Sequence, residues 1–289
     1  MPPLKHPARL LVSLAVTVLI GGFLTAALVR FSPGFGVDEH ELDPSRDVAA
    51  LRARQAARPE QGGFLAYSLR HTAAMFRGDL GVSRNWNRPV ADLLRERWPV
   101  TAQLMAVGIL GGWALALVFA LPAAIYPSRI WNMMAAGLSG LLLCVPSAAL
   151  ALLIFVWAGP VRAVVALAVF PRIFQYLRNV LEHAAAQPHV MAARARGIEP
   201  WRILCWHVLP VAAPQVLALA GVSVSMAFGS AVAVEVVCDF PGIGQLAWKA
   251  ALARDLPLLV TLTMLVTLAT QLANAVAGML SNRGGEVGA

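Results

Sequence analysis

Leu10–Val29 runs for twenty residues without a charged side chain, and Trp98–Ser128 and Ile130–Val161 repeat that pattern at greater length. Pro257–Leu280 is also free of charge, and Pro210–Val237 carries only Glu235. A helix of about 20 residues is long enough to cross about 30 Å of hydrocarbon. No water is present there to pair backbone N–H and C=O groups, so a spanning segment must pair them internally, as a helix does. With a shorter apolar stretch near 162–178, the pattern predicts an all-α membrane protein of about six transmembrane helices. Composition agrees. The chain is 58% hydrophobic and 13% charged, with a mean hydropathy of +0.68, whereas soluble domains hold about 45–50% apolar and about 25% charged residues.

The segments between these runs divide the chain. Residues 1–30 hold the first span, preceded by Lys5 and Arg9. Its apolar core is longer than that of a cleaved signal peptide, and Thr25-Ala26-Ala27 is a poor cleavage site, so the helix is expected to be retained with its N-terminus inside. Residues 31–98 are polar, holding, with Arg30, 11 of the 23 basic residues and 9 of the 15 acids. They read as an extramembrane loop with an interfacial helix over Phe64–Phe76. Residues 99–281 form a five-helix core. Span two lies near 100–125, where Gly108 and Gly112 permit close helix packing. A turn at Tyr126–Ile130 leads to span three, and Gly159–Arg162 turns into a short span four near 162–178, with Arg172 reaching toward the inner surface. The loop 183–210 precedes span five, the loop 237–256 precedes span six, and 282–289 is a tail. With both termini inside, the short inner segments carry Lys5, Arg9, Arg129, Arg178, Arg194, Arg196, Arg202 and Arg283, in line with the positive-inside rule.

Several function classes drop out. The net charge is +8, but the arginines lie between apolar runs and do not form one patch, which fits anchoring beside anionic lipid and not nucleic acid. Cys144, Cys205 and Cys238 lie in or beside different apolar segments with no CxxC, which argues against a disulfide framework or zinc site. There is no phosphate-cradling GxxxxGK[ST], no HExxH and no GxSxG, and the histidines lack ligand spacing. No cofactor or metal is expected, and the chain does not read as an enzyme. A secondary transporter or channel is the main alternative class. It would need ionisable groups at the bilayer midplane or inverted half-repeats, and the spans show neither. Energy must therefore enter by another route.

Gln187–Pro210 is the most informative stretch. Met191–Arg196 is a good helix former with a basic face. Gly197 suits the left-handed position after a helix, and Pro200 suits the first turn of the next. The reading is of two short helices joined at Gly197, the second ending before Leu209-Pro210. Such a helix fits either a groove on another protein or a position on lipid, held by Trp201, Trp206 and the arginines.

The Ala192-Ala193 pair, Gly197 and the closing Leu209-Pro210 resemble the EAA motif of ABC-transporter permeases, with Met191 in place of the glutamate. Ala193-Arg194-Ala195-Arg196-Gly197 is similar to the ARAKG of the peptide-uptake branch. Other blocks resemble the same branch in the same order. They are Arg30-Phe31-Ser32-Pro33-Gly34, then Gly78–Ser83 with Arg88-Pro89-Val90, then Arg97–Thr101. Glu235 with Phe240-Pro241-Gly242-Ile243-Gly244 and Arg254–Pro257 complete the set. The chain departs from the pattern in a trimmed loop between spans three and four, in the absence of a DPR tail, and in Pro188-His189 where an acidic-aromatic pair is usual.

The resemblance implies the type I ABC importer permease fold with a cytoplasmic coupling helix, in a bacterial inner membrane. It implies ATP-binding subunits, a second homologous permease in a heterodimer and a periplasmic solute-binding protein as partners, beside membrane lipid. Ala192, Ala193, Gly197, Leu209 and Pro210 would set the shape of the coupling loop, and Arg194 and Arg196 would make its polar contacts. The Phe240–Gly244 turn would face the binding protein or line an outer gate, or else serve only to stabilise. Glu235 would orient that turn through backbone amides, or else sit solvated at the interface. Met105, Met133, Met134, Met226 and Phe228 are soft side chains suited to a path for varied cargo, or to plain helix packing. The cargo class spans dipeptides, longer peptides, nickel and opines.

Overall fold

The computed structural model describes residues 7–31, 70–71, 73–75, 77–125, 128–157 and 159–287. The Ser32–Gly34 end of the first resemblance block, most of the Phe64–Phe76 segment and Tyr126-Pro127 lie outside them. The described chain is helical: α1 (Pro7–Phe31), α2 (Val90–Ile125), α3 (Arg129–Cys144), α4 (Ser147–Val156), α5 (Arg162–Ala185), α6 (Pro188–Ala195), α7 (Pro200–Ile203), a π turn (Leu204–Val208), α8 (Leu209–Val237), α9 (Ile243–Leu252) and α10 (Leu256–Val287). Four stretches are long and apolar enough to cross a membrane: Val90–Ile125, Arg162–Ala185, Pro200–Val237 and Leu256–Met279. The pair α3 and α4, bent by 95°, makes a fifth if it counts as one span, and the apolar part of α1, Val12–Leu28, is shorter. A count of six requires both the bent pair and α1 to cross.

Span three is not one unbroken helix. Val145 is extended (φ −90°, ψ 118°) and Pro146 precedes the first residue of α4. Proline disfavours helical backbone in the residue before it and has no N–H to continue the ladder. The fourth span is also corrected, since α5 runs Arg162–Ala185 and not 162–178. It reads as weak because it is amphipathic. Arg172, Gln175, Tyr176 and Asn179 share an exposed face, while Val165, Val169, Phe170, Ile173, Phe174, Leu177 and Leu181 are buried.

The chain divides into two compact units. One comprises residues 1–98 and 245–269. Here Val18 and Ala26 of α1 pack with Leu256, Val260 and Met264 of α10. A side chain at Gly22 would meet Met264 Cγ at 2.7 Å, so glycine is what lets this methionine lie against α1.

The other unit comprises residues 99–244 and 270–289, and its core is organised on α5. The expected glycine seam holds α2 to it. A Cβ at Gly108 would collide with Val165, and at Gly112 would lie 3.3 Å from the Ala166 carbonyl oxygen. Phe119 stacks on Trp131 at 5.5 Å and lies 5.6 Å from Phe170, which lies 5.8 Å from Phe174. Each such aromatic pair contributes roughly 0.5–1.5 kcal/mol beyond the area it buries.

Candidate functional site

The segment expected to carry coupling begins with α6, where Pro188 occupies the first turn. Val190 and Ala193 are buried beneath the helix, while Met191, Ala192, Arg194 and Arg196 are exposed. The helix ends in a Schellman arrangement. Gly197 N–H donates to the Arg194 carbonyl at 3.0 Å and Ile198 N–H to the Ala193 carbonyl at 3.3 Å, with Gly197 at φ +73°. A Cβ on Gly197 would meet nothing within 4 Å. Backbone conformation, not space, selects glycine here.

Pro200 then opens α7 as expected, but the second helix does not stop before Leu209-Pro210. It continues through the π turn into α8, so that Pro200–Val237 is one helical stretch. Leu209 N–H reaches back to the Leu204 carbonyl, five residues earlier. A π turn is the accommodation expected just before Pro210, whose ring crowds the carbonyl four residues earlier and whose nitrogen has no proton to donate. Ile203, Leu204 and Val208 are buried and Leu209 packs on the core, while Trp201, Trp206 and Pro210 are exposed. Arg194, Ile198, Pro200 and Leu204 border an open groove of about 310 Å³ with Ala124 and Ile125 from the end of α2.

The second place is a knot around Glu235. Its side chain is fully buried, which excludes the solvated reading. Thr101 Oγ1 donates to Glu235 Oε1 at 2.6 Å, and Gly244 N–H donates to Oε2 at 2.6 Å. Thr101 Oγ1 in turn accepts from Ile243 N–H at 2.8 Å. Ile243 and Gly244 are the first residues of α9. Carboxylate and hydroxyl together thus cap a helix N-terminus, where N–H groups are free and the dipole favours negative charge. The glycines fit around the acid. A Cβ at Gly242 would collide with the Glu235 carboxyl group, and one at Gly244 would lie 2.7 Å from Val232 Cα. Asp239 at φ +53° turns the chain back, and Phe240 N–H donates to the Glu235 carbonyl at 3.0 Å. Phe240 is half-buried and Pro241 exposed. The stretch 237–256, read as a loop, therefore contains α9.

Thr101 is the functional candidate that sequence reasoning named only as part of a block. Its partner Glu235 stands 134 residues away. Met105 and Met226 pack against the core, whereas Met133 and Met134 are exposed. Among the described residues no group of three or more His, Cys, Asp or Glu side chains could hold a metal ion.

The profile of the binding-protein-dependent transport system inner membrane components matches residues 112–283, well over half the chain. A protein of Brucella suis biovar 1, provisionally named a peptide transport system permease, is 28% identical over 209 residues, covering 63% of this chain and 67% of its own. The dipeptide transport system permease of Bacillus subtilis is 23% identical over 271 residues, 87% of each chain. That of Lactococcus lactis subsp. cremoris is 22% identical over 279 residues, 90% of this chain and 91% of its own.

Proposed function

Because this chain belongs to the family of binding-protein-dependent transport system inner membrane components, we propose that it is the permease subunit of an ATP-driven importer for peptides or similar small solutes. It forms half of a path completed by a second, related permease. Separate ATP-binding subunits power it through the 183–210 loop, and a solute-binding protein delivers cargo on the outer side. Hydrolysis takes place in the separate chains. The peptide cargo is carried over from the names of the relatives.

The observation that carries this reading is the fusion of the 187–210 loop to span five. Pro200–Val237 is one helical stretch, so a push on α7 reaches the span within continuous helix, and α6 bears on α7 through the turn at Gly197. Ala192, Arg194 and Arg196 are each exposed for contact with the ATPase, while Val190 and Ala193 seat the loop on its own core. Gly197 fixes the angle between the two helices. At the opposite end of α8, Glu235 holds the Phe240–Gly244 turn to the first turn of α9, as an outer gate element.

The test is uptake of a labelled dipeptide into proteoliposomes holding the whole complex. Uptake should require ATP and the binding protein and should stop with vanadate. Uptake driven by an ion gradient without nucleotide would favour a secondary carrier and refute the proposal.

A further inference from the structure

The polar side of α5 is out of keeping with a span that meets lipid. Arg172, Gln175, Tyr176 and Asn179 are exposed, and they recur at the three- and four-residue spacing of a single helix face. Exposed positions on neighbouring helices are apolar instead, with Leu110 and Val118 on α2, Leu141 on α3 and Leu152 on α4. The other side of α5 is buried in its packing against α3, α4 and α8.

Depth sharpens the contrast. Arg172 stands near the middle of α5, which runs Arg162–Ala185. The end that leads into α6 lies roughly 20 Å away at about 1.5 Å per residue. An arginine side chain does not reach that far, and helical side chains lean toward the N-terminus, away from that end. The expectation that Arg172 reaches the inner surface therefore does not hold. A contact with α3 gives a similar depth. Gln175 Nε2 donates to Ser139 Oγ at 3.4 Å. Ser139 lies roughly 15 Å along α3 from Arg129, about half of a hydrocarbon layer of about 30 Å. Arg172 is about one turn further from the inner end.

The other arginines near this core are placed differently. Arg129 and Arg162 open helices, and Arg178, further along α5, pairs with Glu182 at 2.7 Å. Among the described residues no acid pairs with Arg172. A charge at such depth is costly in lipid and is met by protein or by a water-filled cavity.

The groups on the face narrow what meets it. A guanidinium takes a carboxylate through two parallel N–H bonds. Gln175, Tyr176 and Asn179 donate and accept along the following turns, as amide groups require. One carboxylate followed by amides is the chemistry of a short peptide with a free C-terminus. A lone acid on a second protein would answer Arg172 and leave the other three side chains unmet.

We infer that this face of α5 lines the polar path of the importer, and that Arg172 is a specificity-determining residue that receives the C-terminal carboxylate of the passing peptide midway across the membrane. This rests on the importer reading above and on its peptide cargo.

The experiment has two arms, both in proteoliposomes holding the complete complex. In a background with Cys144, Cys205 and Cys238 changed to alanine, Gln175→Cys, Tyr176→Cys and Asn179→Cys meet a charged, membrane-impermeant methanethiosulfonate during ATP turnover, beside Leu110→Cys and Leu141→Cys. The three positions on the polar face should react at least about tenfold faster than the two apolar ones, because the thiolate that reacts forms in water. In the second arm, uptake of labelled dialanine is compared with uptake of its C-terminal amide, each loaded to saturation on the binding protein. The acid-to-amide ratio should fall about tenfold in Arg172→Gln and hold in Arg172→Lys. The preference of the binding protein cancels between variants, since the same protein serves each. Polar-face cysteines as inert as the apolar ones, or an unchanged ratio in Arg172→Gln, would overturn the inference while leaving the importer reading intact. Loss of the permease pair in Arg172→Gln would mark an ion pair with the second permease and would also overturn it. A wild-type complex without ATP-driven uptake would overturn both.

Discussion

Glu235 and Asp255 are the two fully buried carboxylates of the described chain, one in each unit, and they solve one problem in different ways. Burying an unpaired charge is costly, and both acids are met by a hydroxyl and by N–H groups at the start of a helix. Glu235 reaches a helix eight residues further on, and the chain between is moulded to it, since Gly242 and Gly244 leave no room for a Cβ. Asp255 caps its own helix and grips a distant turn through Ser83, and among the described glycines none would press a Cβ against it. The first knot is closed by shape and the second by hydrogen bonds. The shape-closed knot should therefore break most severely at its glycines, and the hydrogen-bonded one at its acid and hydroxyl.

The largest effect is expected at Gly244. Valine there drives carbon atoms into the Val232 backbone and should cost about 3 kcal/mol or more, read as loss of assembled complex and a lower unfolding temperature. Glu235→Ala should follow at about 3 kcal/mol, because Thr101 and the Gly244 N–H lose a buried acceptor, and Glu235→Gln should lose roughly half as much. Thermal unfolding of the purified complex separates these. If Gly244→Val were tolerated better than Glu235→Ala, hydrogen bonding and not shape would govern this knot too. Asp255→Ala should cost about 2 kcal/mol, adding a lost cap to an unpaired Ser83.

Gly197 sharpens the contrast, because its positive φ is needed in open space. Gly197→Ala should cost only about 1 kcal/mol. Gly197→Val should leave the complex assembled yet let ATP hydrolysis run without uptake. Normal uptake in an assembled Gly197→Val complex would refute a coupling role for this loop.

The smallest effect is a pH dependence in the unit that holds Asp255. Burial lowers the His71 pKa, partly opposed by the negative charge of Asp79 and a hydrogen bond with the Pro257 backbone. The unfolded imidazole, near about 6.5, then binds a proton more readily than the folded one. The contribution is present above that value and is lost as the pH falls below it. The protection of residues 70–81, taken relative to the intrinsic amide exchange rate at each pH, should fall between pH 7 and pH 5.5, and His71→Gln should flatten the response.

Much of the fold was legible because hydropathy and length report spans directly. Gly197 was legible because few residues other than glycine end a helix in the left-handed region. The bend at Val145-Pro146 was hidden, since an apolar run looks the same whether it continues or turns through 95°. The strength of α5 was hidden too, since its polar face lowers the average that marks a span. The fusion of α7 to α8 escaped notice because Leu209-Pro210 reads as a stop, whereas a π turn carries the helix through it. Glu235 stood out as a lone acid in an apolar run. Thr101 and Ser83 could not, because their roles depend on contacts 134 and 172 residues away that no local pattern encodes.

The central claim is that the 187–210 loop transmits work from an ATPase to span five. Its most direct test is paired measurement of ATP hydrolysis and dipeptide uptake in the same proteoliposomes, for wild type and for a variant with Ala192, Arg194 and Arg196 all changed to Asp. The account predicts that wild-type uptake follows hydrolysis in fixed proportion, and that the variant inserts normally but neither binds the ATP-binding subunits nor transports. A variant that transports at the wild-type rate, or a wild-type complex that transports with no nucleotide-binding chain present, would contradict it.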